Sequence, residues 1–256
     1  MFKKLLLLLL TISFLSSCYV KEEIGTEEFS ALSCDEKVDY IIKRNDNINS
    51  QNWYYEGYGS MDLAKIKMVG LEKPNENLTF FKIVDLDSKD KAMLLPTLSQ
   101  VLFKIKTTKD ISNQSIYYCI ELESNRRCYQ GKIKFPFYAN SLVGLAVFKK
   151  ESIDSYKCDG NKVNIKIKDF NLTYDNYYLT EIKSNGYDEK IIYKDNKPYK
   201  IISSFTSEFA EKYFEIPKIN FPKDLGTSTE TTIITKLEKI DKSQVPAIEK
   251  ELEKRL

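Results

Sequence analysis

The chain has 256 residues, with 39 lysines and arginines against 37 acids and no histidine. A formal charge of +2 over that length provides no basic surface for nucleic acid or another acidic polymer. Without imidazole, Ser-His-Asp and Cys-His nucleophile systems and the usual histidine zinc sites are excluded, so hydrolysis would fall to carboxylates, lysine or tyrosine.

The N-terminus comes first. Lys3 and Lys4 precede the unbroken run Leu5 to Leu10, which Ile12, Phe14 and Leu15 extend. This is the plan of a secretory signal. The apolar stretch is well short of the roughly 20 residues that a membrane-spanning helix needs, so a transmembrane helix is the poorer reading. The stretch then closes on Leu15-Ser16-Ser17-Cys18. An aliphatic residue, two small ones and a cysteine resemble the lipobox of bacterial lipoproteins. The resemblance implies cleavage before Cys18 and acylation of its thiol and of the new amine. An ordinary signal followed by a chance cysteine is the alternative. A buried acyl chain contributes about 0.8 kcal/mol per methylene, and two or more chains hold stably. Tyr19 in place of an aspartate resembles outer-membrane rather than inner-membrane sorting. Lys21-Glu22-Glu23 with Glu27-Glu28 faintly resembles a surface-export tag, although a solvated tether explains them too. Residues 19–33 carry charge with little apolar periodicity, so 18–33 is expected to be a lipidated flexible leash. Without residues 1–17, which hold two lysines and no acid, the chain is formally neutral.

Residues 34–256 are expected to form one domain. Val38, Ile41, Ile42 and Ile48 share one face of a helix over 35–48, with Asp35 and Glu36 at its positive end. After Asn52 the pattern turns to strand. Trp53, Tyr55 and Met61 to Val69 lie among the turn formers Gly57, Gly59 and Ser60. Leu78 to Asp85 and Val101 to Thr107 are further strands, separated by a short helix from Ser88 to Leu95 that Pro96 ends. Ile116 to Leu122 and Tyr129 to Phe135 form a hairpin turning near Glu123-Ser124. Asn140 to Lys150 is ambiguous. Its Asn140 or Ser141 cap and its Lys149-Lys150 end favour a helix, against the strand character of Val143, Val147 and Phe148. Lys162 to Lys168 alternates without a fault, as a half-buried antiparallel strand does. Tyr177 to Lys183, Asn185-Gly186 and Glu189 to Lys194 read as a hairpin. Asp195-Asn196-Lys197-Pro198 then turns the chain into Tyr199 to Phe205, completing a meander. Ser207 caps a short helix through Phe214, and Thr229 to Ile240 is the last strand. Residues 243–256 form an amphipathic helix with Ser243 as cap and the stripe Val245, Ile248, Leu252 and Leu256. Packing on its own sheet is the expected fate of that stripe, ahead of a partner's groove.

Besides Cys18, the chain holds Cys34, Cys119, Cys128 and Cys158. An even number in an exported chain reads as two disulfides, with Cys119–Cys128 and Cys34–Cys158 the favoured pairing among three. Directly opposed hairpin positions suit the first pair. A zinc site of four cysteines lacks the C-x-x-C spacing. Asp85-Leu86-Asp87-Ser88-Lys89-Asp90 offers oxygens for calcium but lacks the glycine and distal glutamate of a calcium loop, so a solvated turn explains it better. Arg126-Arg127 reads either as an anion clamp or as a solubilising hairpin tip. Seventeen tyrosines and 14 phenylalanines cluster at Trp53-Tyr54-Tyr55, Phe80-Phe81, Phe135-Pro136-Phe137-Tyr138 and Tyr177-Tyr178. Filling a core is the plainer reading of these rings, and lining an apolar cleft is the other.

The expected fold class is α+β, mainly antiparallel β: a curved sheet or half-open barrel with a few short packed helices. A lipid anchor, an early helix and a long antiparallel sheet curled around short helices are similar to the outer-membrane lipoprotein LolB and its soluble relative LolA. Phe221-Pro222-Lys223-Asp224-Leu225 after Ile216-Pro217 resembles the closing segment of such domains. That resemblance implies a curved sheet sheltering an apolar ligand. Two disulfides and greater length depart from the pattern. The expected role is an envelope lipoprotein, membrane-bound through Cys18, whose sheet binds a lipid or another envelope protein. The alternative is a structural or surface interaction protein without a ligand. No catalytic constellation, metal site or cofactor is expected.

Overall fold

A computed structural model describes residues 23–61, 64–86, 102–111, 114–122, 125–215 and 227–254. The Cys18 lipobox, most of the 85–90 loop, the helix expected over 88–95, the 123–124 turn and the 216–225 segment lie outside the described residues. Among the described residues the architecture is a large, curved, antiparallel sheet that does not close into a barrel, with four short helices.

Twelve of its fourteen strands among the described residues fall into two wings. The first is the meander β1 (Asn52–Met61), β2 (Ala64–Glu72), β3 (Glu76–Leu86), β4 (Leu102–Thr108), β5 (Ser115–Leu122) and β6 (Asn125–Ile133). The second is the meander β9 (Ser155–Asp159), β10 (Lys162–Ile167), β11 (Phe170–Asp175), β12 (Tyr178–Ser184), β13 (Tyr187–Lys194) and β14 (Lys197–Phe205). The last strand, β16 (Ser228–Ile240), joins them by pairing with β1 on one side and β14 on the other. The two-residue β15 (Phe214–Glu215) pairs with the outer edge of β6. Between the wings in sequence lies a strap, residues 134–153. It contains the small hairpin β7 (Tyr138–Asn140) and β8 (Leu145–Val147).

This strap corrects the helix expected over 140–150. The Asn140 side chain does accept a backbone N–H, from Leu142, but only a three-residue 3-10 turn follows, over Ser141–Val143. Gly144 then adopts the left-handed conformation, with φ at +66°. A glycine there ends the turn at little steric cost and starts a strand. The β-branched and aromatic character of Val143, Val147 and Phe148 therefore outweighed the capping signal.

The helices are α1 (Thr26–Ala31), α2 (Cys34–Asn49), α3 (Ser207–Tyr213) and α4 (Val245–Lys254). Ser33 and Glu36 form a reciprocal capping box at the start of α2, each side chain holding the other's backbone N–H. A second correction concerns the leash. Part of it is the helix α1, and Phe29 within it is fully buried. One phenylalanine in a charged stretch has no period, so nothing local marks it as a core residue. A third concerns Gly57 and Gly59, which stand inside β1 rather than in a turn. Gly57 lies where β16 bulges, and a Cβ there would sit 2.7 Å from the Ile233 carbonyl oxygen. In α4 the first helical residue is Val245, so Gln244 rather than Ser243 stands at its start.

Each face of the sheet has its own cover. The inner face packs α1, α2, α3 and the strap through a core that includes Phe137, Phe170, Ile165, Leu172 and Tyr174. Phe135 alone meets six rings, those of Phe137, Phe170, Tyr187, Phe209, Tyr213 and Phe214. Core filling thus accounts for this aromatic cluster. On the outer face α4 sets Leu252, Val245 and Ile248 against Val69, Leu71, Leu78 and Phe80, as its apolar stripe led one to expect.

Candidate functional site

The strap is held by two buried carboxylates, one from each wing. Glu72 ends β2 and is fully buried on the inner face. Its first carboxylate oxygen lies 2.5 Å from Lys109 Nζ, and Tyr138 Oη donates to both oxygens at 3.0 Å. Asn77 and Asn140 donate to the second oxygen at 2.6 and 2.7 Å. The network extends further. Asn77 also donates to Tyr55 Oη at 2.9 Å, and the Thr79 hydroxyl donates to Asn77 at 2.7 Å. With the Thr79 proton so engaged, Tyr55 is the donor in its 2.5 Å contact with Thr79. Tyr55 fits only because Gly70 faces it across the strands: a Cβ at Gly70 would land on the tyrosine ring.

Burial governs the electrostatics here. It pushes the Tyr55 and Tyr138 hydroxyls above the ordinary phenol value, and the Glu72 charge adds to the rise at both. Burial also lowers Lys109, against the opposing pull of Glu72. Lys109 gives a further hydrogen bond to Asn49 at the end of α2, 2.9 Å away. Four donors saturate the Glu72 carboxylate, so the cluster pins β2, the strap and α2 together. It leaves no vacant lone pair to take a proton from a substrate.

The second carboxylate is Glu189 of β13, and its partners are hydroxyls. Ser141 of the strap donates to one oxygen, and Ser203 of the adjoining β14 donates to the other at 3.0 Å. The Tyr187 hydroxyl also favours the charged carboxylate. Burial raises the Glu189 pKa above the usual carboxylate range, although the three hydroxyls oppose the rise. A raised carboxyl favours the folded state most below its unfolded pKa. That contribution is lost as pH rises through the folded value. Glu189→Gln is therefore expected to flatten this part of the pH profile: the wild-type melting temperature falls further than the variant's from mildly acidic to mildly alkaline pH. Thermal melts of the two proteins across that range check it.

Among the described residues, two of the clefts beside this framework open to solvent. One, of about 640 Å³, lies between the Lys132–Pro136 segment and the Glu151, Asp154, Ile167 and Lys168 side. Gln114 is among its lining residues and donates to the Phe135 and Phe137 carbonyls at 3.0 and 2.9 Å. The other, of about 370 Å³, is lined by Asp169, Ser184, Tyr187, Asp188, Ser204 and Thr206 at one end of the second wing. Asp169 there is already engaged by Lys212 and Tyr213, which hold its carboxyl below the usual range.

Both favoured disulfides are formed. Cys119 and Cys128 are directly opposed partners in the β5–β6 register, with Cα atoms 4.0 Å apart. Cys34 at the start of α2 joins Cys158 of β9, with Cα atoms 5.6 Å apart. All four sulfurs are thereby consumed, which overturns the rival reading of a four-cysteine zinc site. Arg127 is exposed near the start of β6, next to the bridged Cys128. Sequence reasoning missed Glu72, Lys109, Tyr138 and Glu189. For Glu189 a signal existed: it alternates in phase with the buried Ile191, so a glutamate was already aimed inward. No family model matches the chain, and no curated protein matches it.

Proposed function

We propose that this chain is a non-catalytic envelope lipoprotein, tethered through Cys18, that engages another envelope component through the outer face of its curved sheet. The observation that carries this reading is the occupancy of the inner face. The strap, α1, α2 and α3 fill the side where a ligand-sheltering sheet would hold its apolar cargo, and two buried carboxylates fasten the strap there. The outer face offers the contrast. Tyr58, Ile233, Lys200 and Ile192 are successive cross-strand partners on β1, β16, β14 and β13. Tyr58 is 48% exposed, Ile233 38% and Ile192 46%, so three apolar side chains in one row stand in solvent. Large apolar side chains grouped on a surface mark interaction sites more often than scattered ones do.

A photo-crosslinking residue at Ile233 in the native host tests the reading. We expect it to trap one envelope protein in a discrete adduct, and Ile192→Asp, two strands away on the same face, to abolish the adduct without lowering the melting temperature. A crosslinker at Ile233 that traps nothing, or an adduct indifferent to Ile192→Asp, contradicts the assignment to this face.

A further inference from the structure

We infer that the end of the second wing that carries Glu23 is the membrane-facing end of the protein, held at the lipid headgroups, with the opposite end directed away from the bilayer. The inference rests on the lipid at Cys18 proposed above and adds an orientation to it.

The fold takes hold of the chain at Glu23. Glu23 is bound by Arg44 Nε at 2.7 Å and by Tyr178 Oη at 3.3 Å. The next residue, Ile24, donates its N–H to Tyr40 Oη at 3.1 Å. The Arg44 guanidinium lies over the rings of Tyr177 and Tyr178, 5.2 and 4.9 Å from their centroids. Phe29 then locks the segment into the core against Tyr40 and Tyr177. The leash therefore does not run to residue 33. It ends at Glu23, five residues after Cys18, and a chain that short reaches at most about 17 Å when fully extended. A leash running to residue 33 would have reached about 50 Å and left the domain free to tumble.

Glu23 is fastened at a definite end of the sheet. Tyr178 opens β12, just after the β11–β12 turn, and the Asn176 N–H of that turn donates to the Asn161 carbonyl of the β9–β10 turn at 2.9 Å. The Tyr178 ring lies 5.0 Å from that of Tyr193, beside the β13–β14 turn. Three turns thus share the tethered end. The exposed Lys162, Lys194 and Lys197 alternate there with Asp159, Asp175 and Asp195. The turns balance three lysines with three aspartates, and α1, which Lys37 ties to the β9–β10 turn through Ser30 and Gly160, adds the exposed Glu27 and Glu28. No basic surface there draws the end to anionic lipid; the short tether sets the orientation. At the other end of the same strands lie the β12–β13 turn and the polar cleft of Ser184, Tyr187 and Asp188. The seven residues of β12 put that cleft about 20 Å further from the bilayer.

The test uses the full, acylated protein in vesicles of phosphatidylethanolamine and phosphatidylglycerol carrying a headgroup nitroxide lipid. A fluorophore is attached at the exposed Lys162→Cys in one sample and at the exposed Asn185→Cys in another. We expect the label at 162 to be quenched several-fold more than the label at 185. Inserting about ten Gly and Ser residues after Val20 restores free tumbling and removes most of that contrast. Mass spectrometry of the same samples reads the acyl mass on Cys18. Acylated protein with equal quenching at the two positions, or with stronger quenching at 185, overturns the orientation and leaves the anchor standing. Protein without fatty acid overturns the anchor and the orientation with it.

Discussion

Glu72→Gln is expected to destabilise the protein by about 3–5 kcal/mol, the cost of leaving one member of a buried ion pair without its counter-charge. Lys109 would remain on the inner face, 2.5 Å from the place of a carboxylate that no longer carries charge. The strap would also lose its best acceptor, because Tyr138 and Asn140 both donate to that group. Removing both charges is a different case. In Glu72→Gln with Lys109→Met no uncompensated charge stays buried, and much of the lost stability should return, because buried pairs add little net stability over apolar replacements. Urea denaturation of wild type, single and double variants measures this. The expected order is wild type, then double, then single, with the double closer to wild type. A single variant within 1 kcal/mol of wild type would mean that the pair is effectively solvated.

The two disulfides should differ in worth. Cys34–Cys158 closes a loop with a sequence separation of 124 and ties α2 to the edge strand β9. The chain-entropy model assigns such a loop about 5 kcal/mol. Cys119–Cys128 has a sequence separation of only 9 and joins neighbours that the hairpin already pairs, so the same model gives about 2.5 kcal/mol. Replacing each pair by alanine and comparing urea midpoints checks the ranking. Equal losses, or a larger loss from the hairpin bridge, would count against it. The long-range bridge also fixes the element whose other end supplies Asn45 to the core, where its amide donates to the Ala146 carbonyl at 2.6 Å. Its loss should therefore loosen the strap as well as the α2 terminus.

Where pairing is local, the fold was legible. The alternation from Lys162 to Lys168 became β10, whose Val163, Ile165 and Ile167 are all fully buried. Asn185-Gly186 and Asp195-Asn196 became tight turns, with Gly186, Asp195 and Asn196 at positive φ. Placement was not legible. Thr229 to Ile240 was readable as a strand, but its seat between β1 and β14 depends on partners far away in the chain. No local period records such a choice. The strap failed for a related reason. Its Asn140 and Ser141 read as helix caps, whereas their side chains serve carboxylates that lie 68 and 48 residues away. The buried pair itself was hidden because Lys109 sits just past the end of β4, where a lysine normally means solvent.

The inner face is occupied by the protein's own chain. Native mass spectrometry of the soluble form, residues 19–256 exported without the lipid cysteine, addresses that most directly. The predicted result is the mass of the polypeptide alone with its two disulfides formed. A stoichiometric adduct of lipid mass that survives gentle activation would contradict it, and would make this sheet the container that its inner packing argues against.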